Sequence, residues 1–119
     1  MIPRVQVDGN GIVLALANVM SVTPPTARSI TAPCDLGLET RVSFREAAIA
    51  ELEGLSEGGT LSVDLAGTER VDSAGLSALM LIQRRAAEHG QRVVLQHPSD
   101  EFRFLLALTQ LTDLFELES

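Results

Sequence analysis

Asp72 and Ser73 stand together where a short apolar strand hands over to an apolar-periodic helix, within Leu61–Leu81 (LSVDLAGTERVDSAGLSALML). A serine hydroxyl at a helix N-terminus lies among unpaired backbone N–H groups and at the positive end of the helix dipole. A phosphoryl group there is favoured electrostatically, and it changes the surface that a partner meets. The plainer reading is a cap: serine is a preferred N-cap, and Asp-Ser before an apolar run is an ordinary helix start. Asp72 then holds the turn by accepting from backbone N–H groups ahead of the helix.

Other chemistry has fewer parts in place. A nucleophilic Ser73 needs a base, and His89 falls at the far end of the same expected helix, about 24 Å away. His97 could approach only through the tertiary fold. Asp64 and Asp72 could form a carboxylate pair, but Asp64 alternates with Val63 and Leu65 and is expected to face solvent or a turn. Gly67, Gly75 and Gly90 do not have the spacing of a phosphate-binding loop. Cys34 is the one cysteine, so no disulfide forms within the chain, as suits a reducing cytoplasm. It reads as a small buried or half-buried residue. With His89 and His97 it matches no common metal-ligand spacing. No catalytic residue, metal site or cofactor is therefore assigned. Arg84 and Arg85 form a basic pair, read as a solvated helix face or as a charged rim for a partner.

The elements that must position Asp72 and Ser73 belong to a chain of 119 residues, the size of one domain. Apolar residues make up 45% of it, with four Phe and no Trp or Tyr, so the core is aliphatic. The net charge of −7 argues against direct contact with nucleic acid, which calls for a basic patch, and could steer a basic partner surface. No apolar run approaches the roughly 18 residues of a membrane span, and Arg4 with Val5-Gln6-Val7-Asp8 breaks a signal-peptide pattern. The expected location is the cytoplasm, without membrane insertion.

Along the chain, residues 4–7 and 12–17 flank Asp8-Gly9-Asn10-Gly11 and predict a hairpin. Residues 18–29 read as a loop, and Pro33 and Gly37 argue against a regular element over 30–40. Residues 1–41 are thus a hairpin and a long connection. Ser43-Phe44-Arg45-Glu46 predicts a capping box, followed by an amphipathic helix on Phe44, Ala47, Ala48, Leu52 and Leu55. A strand follows at Thr60–Leu65, and a helix from about Ser73 to His89 stopped by Gly90. Val93-Val94-Leu95 reads as a buried parallel strand without clean alternation. Ser99 caps a third helix bearing Phe102, Leu105 and Leu106, and Leu114, Phe115 and Leu117 suggest a last strand. The expected fold is a single α/β domain, a small mixed sheet with helices packed against it. Its core should include Val63, Leu65, Leu76, Leu79, Met80, Val94, Leu105 and Leu106.

The succession of strand, Asp72-Ser73-Ala74-Gly75-Leu76, helix and the strand Gln91–Leu95 resembles the STAS family. That is the domain of anti-sigma factor antagonists and of the cytoplasmic tails of sulfate transporters. In the antagonist branch Asp-Ser-[Ser/Ala]-Gly is the phosphosite motif, so the resemblance implies that Ser73 is the phosphorylated residue. It also implies that Asp72 shapes the loop a kinase reads, and that Asp72, Ser73, Ala74, Gly75 and Leu76 form the partner-binding loop. The implied partner is an anti-sigma factor that is also a serine kinase, bound when Ser73 is unphosphorylated. A second branch, the STAS subunit of a bacterial phospholipid-transport ABC system, resembles Arg70–Leu76 nearly as well; there the loop docks on an ATPase subunit. A serine hydrolase is the third alternative. The family usually carries Gly-x-Leu/Ile-Asp before the first helix. Ala17-Asn18-Val19-Met20-Ser21 stands in that place without the Gly or the Asp, and Cys34-Asp35-Leu36 lies further on.

Overall fold

A computed structural model describes residues 24–118. The elements are β1 (Ala27–Thr31), β2 (Asp35–Leu36), α1 (Arg41–Glu53), β3 (Thr60–Asp64), β4 (Arg70–Val71), α2 (Ser73–Glu88), β5 (Arg92–Gln96), α3 (Asp100–Leu108) and β6 (Glu116–Glu118). A 3-10 turn at Thr112–Leu114 precedes β6. Among the described residues four strands form one sheet in the order β1-β3-β5-β6, and every neighbouring pair of these is parallel. Parallel neighbours need crossovers, which α1, α2 and α3 supply in turn. β2 and β4 form a separate two-stranded parallel sheet. This is the expected α/β fold, a small sheet with helices packed against it. The hairpin expected over residues 4–17 lies outside the described residues.

Register sets the core. Ile30, Val63, Leu95 and Leu117 stand level across the four strands, and Leu61 is level with Val93. These side chains join Phe44, Ala48, Leu52, Leu76, Leu79, Ile82, Ala86, Phe102 and Leu106 from the helices in one apolar cluster. The intervening residues Ser62, Asp64, Val94 and Gln96 are only half-buried. So β5 does alternate, because the helices cover one face of the sheet, and Val94 belongs to the other face. Leu105 is also half-buried. Met80 is 37% exposed, since α2 turns the line through Gly75, Leu79, Ile82 and Ala86 inward instead. Val63, Leu65, Leu76, Leu79 and Leu106 are buried as expected.

The stretch read as connection contains two strands. Ala27–Thr31 lies at the edge of the sheet among the described residues and exposes alternate residues, and its single Ile leaves too weak a pattern to be read alone. Asp35–Leu36 is ordered by pairing with Arg70–Val71, a partner 35 residues on. α1 begins at Arg41, two residues before the expected capping box, and that box does not form. Ser43 Oγ donates to Thr40 O instead, at 3.3 Å. Ala47 is exposed, while Phe44, Ala48 and Leu52 carry the buried face. At the far end of α1, Gln91 Nε2 donates to both Leu52 O and Leu55 O at 2.9 Å. α2 closes as predicted: Gly90 takes a positive φ of 68° and Gln91 N returns to Ala86 O. Ser99 caps α3 as predicted, accepting from Phe102 N at 3.0 Å. The last strand is shorter than expected, because Leu114 falls in the 3-10 turn and only Glu116–Glu118 pairs with β5.

Candidate functional site

The junction at Asp72 is built from two straps that run side by side. Backbone N–H groups of Glu69 and Arg70 donate to Cys34 O, and Asp72 N donates to Leu36 O. The buried Thr68 donates its hydroxyl to Pro33 O at 2.9 Å. Arg70 and Asp35 close the outer edge as an ion pair with N···O distances of 2.9 and 3.3 Å. The Arg70 guanidinium holds the Asp35 carboxyl below the usual carboxylate range. The pair is exposed, so its net contribution is small.

Beyond Leu36 the chain turns over Gly37–Thr40 into α1. Thr40 N and Arg41 N donate to Gly37 O. The Thr40 hydroxyl accepts from Gly37 N at 3.0 Å and donates to Asp35 O at 2.7 Å. That commitment explains why Thr40, at the N-cap of α1, makes no side-chain cap bond.

Asp72 joins the two helix entries. Its Oδ1 accepts from Gly75 N at 3.0 Å, and its Oδ2 accepts from Leu38 N at 3.3 Å. The cap of α2 is thus Asp72, and Ser73 is the first helical residue. The serine-cap reading is corrected on this point. Asp72 has the extended backbone an N-cap needs (ψ −177°), and its carboxylate reaches the N–H three residues on. Donation from Gly75 N, helped by Leu38 N and Ala74 N, holds the Asp72 carboxyl below its usual range against some desolvation.

Gly75 is set by packing. A Cβ built there would lie 2.0 Å from Leu36 O and 2.6 Å from Leu36 C, so α2 touches the β2 backbone where only glycine fits. A Cβ on Gly37 would lie 2.5 Å from Asp72 Oδ2. Gly75 and Leu76 are buried, Ala74 is half-buried, and Asp72 and Ser73 are exposed. The five residues of the expected partner loop therefore divide. Gly75 and Leu76 anchor it, Asp72 clamps it, and Ser73 presents a hydroxyl that the cap does not use. Further along α2, Met80 and Leu81 are 37% and 38% exposed.

The remaining candidates take other places. Asp64 Oδ1 accepts from Ala66 N at 2.9 Å, the turn role expected of it, while the Asp72 carboxylate is engaged at its own turn. His89 is the C-cap residue of α2, sixteen residues beyond Ser73. Arg85 pairs with Glu53 at 3.3 Å, and Arg84 is exposed. Cys34 is exposed rather than half-buried, because the backbone of its strap, not its side chain, is what the neighbouring loop uses. Among the described residues no group of His, Cys, Asp and Glu could hold a metal, and no helix is long and apolar enough to cross a membrane.

The segment leading into α1 contains Cys34-Asp35-Leu36, while Ala17–Ser21 lies outside the described residues. Sequence reasoning also passed over an open groove of about 940 Å³ beside Asp72. It is bounded by Leu36–Thr40, by Thr68–Asp72 and by one face of α3. Phe104 and Leu108, four residues apart and off the core stripe of α3, were a readable signal for it.

Residues 23–117 match the family model described as "Mlab, STAS domain". Among solved structures, a candidate anti-sigma factor antagonist from Thermotoga maritima is similar with a TM-score of 0.66 at 20% identity, over 76% of this chain and 79% of that one. A sulfate transporter family protein from Wolinella succinogenes has a TM-score of 0.62 at 15% identity, over 86% and 84%. The anti-sigma factor antagonist SpoIIAA, in its unphosphorylated form, has a TM-score of 0.54 at 13% identity, over 83% of each chain. At these identities what is shared is the fold. No curated protein sequence matches the chain.

Proposed function

Because the chain belongs to the STAS domain family, we propose that it is a cytoplasmic protein-binding module of the anti-sigma factor antagonist kind, switched by phosphorylation of Ser73. One observation carries this reading. Asp72 and Gly75 do the structural work of the loop, which leaves the exposed Ser73 hydroxyl outside the cap at the first position of α2. A kinase can reach such a hydroxyl without unfolding the helix. The unphosphorylated loop binds an anti-sigma factor serine kinase. Phosphate adds nearly two negative charges at that interface, beside Asp72, and repels the partner. The fold itself tolerates the charge, because a helix N-terminus favours an anion by about 0.3–1 kcal/mol. The reading assigns the chain no catalytic step.

The test searches the source genome for an anti-sigma factor serine kinase and purifies it; the absence of any such gene would count against the reading. The kinase should label the wild type but not Ser73→Ala, and Ser73→Asp should bind at least about tenfold more weakly than the wild type, a loss of about 1.4 kcal/mol. No labelling and equal affinity for all three proteins would remove the switch. A second reading, a STAS subunit docking on an ABC transporter ATPase, is compatible with the fold shared with a sulfate transporter family protein. ATPase binding that is indifferent to Ser73→Asp would favour it.

A further inference from the structure

The groove beside Asp72 combines two features that rarely coincide on a surface left to water. Leu38, Phe104 and Leu108 line it and are 67%, 64% and 65% exposed. Large apolar side chains gathered on one patch mark an interaction site. Among the described residues the lining also carries the carboxylates of Asp35, Glu39, Glu69, Asp72 and Glu101, against one cation, Arg70. Arg70 is already paired with Asp35. The groove is therefore apolar within and negative at its rim.

From this we infer that the groove docks a short amphipathic segment of a protein partner, with apolar side chains set against Leu38, Phe104 and Leu108 and Lys or Arg flanking them. Charge selects this occupant. A nucleic acid or an anionic membrane surface would bring negative charge to a negative rim. A second copy of the chain carries a net charge of −7 and is repelled in the same way. A basic amphipathic segment gains on both counts, by apolar burial and by Coulomb attraction. Asp72 lines the groove and clamps the Ser73 loop, so one partner could touch both. The inference deepens the proposed function by naming the chemistry of the partner's docking segment, and rests on it for the partner being a protein.

The test titrates the isotope-labelled full chain with three synthetic peptides of equal length, followed by NMR. One is an amphipathic leucine/lysine helix, one its leucine/glutamate counterpart, and one a leucine/lysine peptide with the apolar stripe scrambled. The amphipathic leucine/lysine peptide should shift the amides of Leu38, Phe104, Leu105 and Leu108, and bind at least about tenfold tighter than either control. Phe104→Ser with Leu108→Ser should lose about tenfold in affinity. A second pair, Glu39→Lys with Glu101→Lys, should abolish the preference for lysine over glutamate; all four side chains are exposed, and a dispersed spectrum checks the fold. Absence of binding, equal affinity for all three peptides, or shifts confined to other surfaces would overturn the inference. So would contacts from residues 1–23 to Phe104 and Leu108 in the free chain, or shifts of the groove amides on concentrating the chain alone. No kinase enters this titration, so the groove and the Ser73 switch stand or fall separately.

Discussion

Replacing Gly75 by alanine puts the account of the loop at risk in one measurement. In a helix Gly→Ala ordinarily stabilises, by about 0.5–1 kcal/mol. Here the new Cβ would meet Leu36 O at 2.0 Å, and the two must part by about 1 Å to reach even a bare 3.0 Å contact. The atom it meets is backbone, in a residue 1% exposed, so no rotamer change relieves the clash. Overpacking of this kind costs about 1–3 kcal/mol. Displacing α2 also strains the Gly75 N to Asp72 Oδ1 cap, worth about 0.5–2 kcal/mol. After the helix-propensity gain is subtracted, the net loss is about 2 kcal/mol, within a range of about 1–4. For a domain of this size that lowers Tm by roughly 10 °C. The assay is thermal and urea unfolding of the wild type, Gly75→Ala and Gly67→Ala. A Cβ on Gly67 meets no atom within 4 Å, so that variant should stay within about 0.5 kcal/mol of the wild type. A Gly75→Ala protein as stable as the wild type, or equal losses in the two variants, would refute the close approach of α2 to β2.

Ser73→Ala should leave stability within about 0.5 kcal/mol of the wild type, because the cap belongs to Asp72; a melt showing a full cap's loss would return the capping role to the serine. Asp72→Asn should be less stable at neutral pH, since its amide nitrogen cannot accept from Leu38 N. The Asp72 carboxyl is held below its usual range in the folded state, so its contribution is complete above the unfolded value near 3.9 and is lost as pH falls through the lower folded value. Melts between neutral pH and about pH 3 should accordingly show the gap between wild type and Asp72→Asn narrowing on acidification; a gap constant across that range would count against the carboxylate's role. Gln91→Ala should cost about 1–2 kcal/mol in urea unfolding, because Leu55 O loses its bond from Gln91, whereas Leu52 O keeps the one from Leu55 N.

The sequence disclosed the elements that carry strong local patterns. α2 and α3 have apolar periodicity and named stops, and Val63, Leu65, Leu79 and Leu106 are buried where the pattern put them. Asp72–Leu76 was visible because Asp, Ser and Gly each have a local preference at a strand-to-helix turn. What stayed hidden depends on partners distant in the chain. β1 has one Ile beside Ala, Arg, Ser and Thr and becomes a strand only beside β3. β2 is two residues long and is ordered by β4. The choice between Asp72 and Ser73 as cap turned on backbone angles that either residue could have adopted. Met80 reads as core by spacing, but a rotation of α2 by less than half a turn selects Ile82 in its place.

Among the described residues, the loop bearing Ser73 leaves a two-stranded sheet that shares no ladder with the four-stranded one. Its hydrogen bonds run to the Cys34–Leu38 strap, while Leu61, Val63, Val93 and Leu95 are locked in the main sheet. Loosening the outer edge of the strap, at the exposed Asp35–Arg70 pair, therefore does not require opening the core, whereas Leu36 beside it is 1% exposed and belongs to the core. The free energy of reshaping the loop against another protein is separate from the free energy of unfolding, and the two can be tuned by different residues. Changes at Asp35 or Arg70 alter how readily the surface adapts, whereas changes at Leu61 or Leu95 alter whether there is a folded protein to carry it. In such a molecule binding strength and thermal stability are free to drift apart.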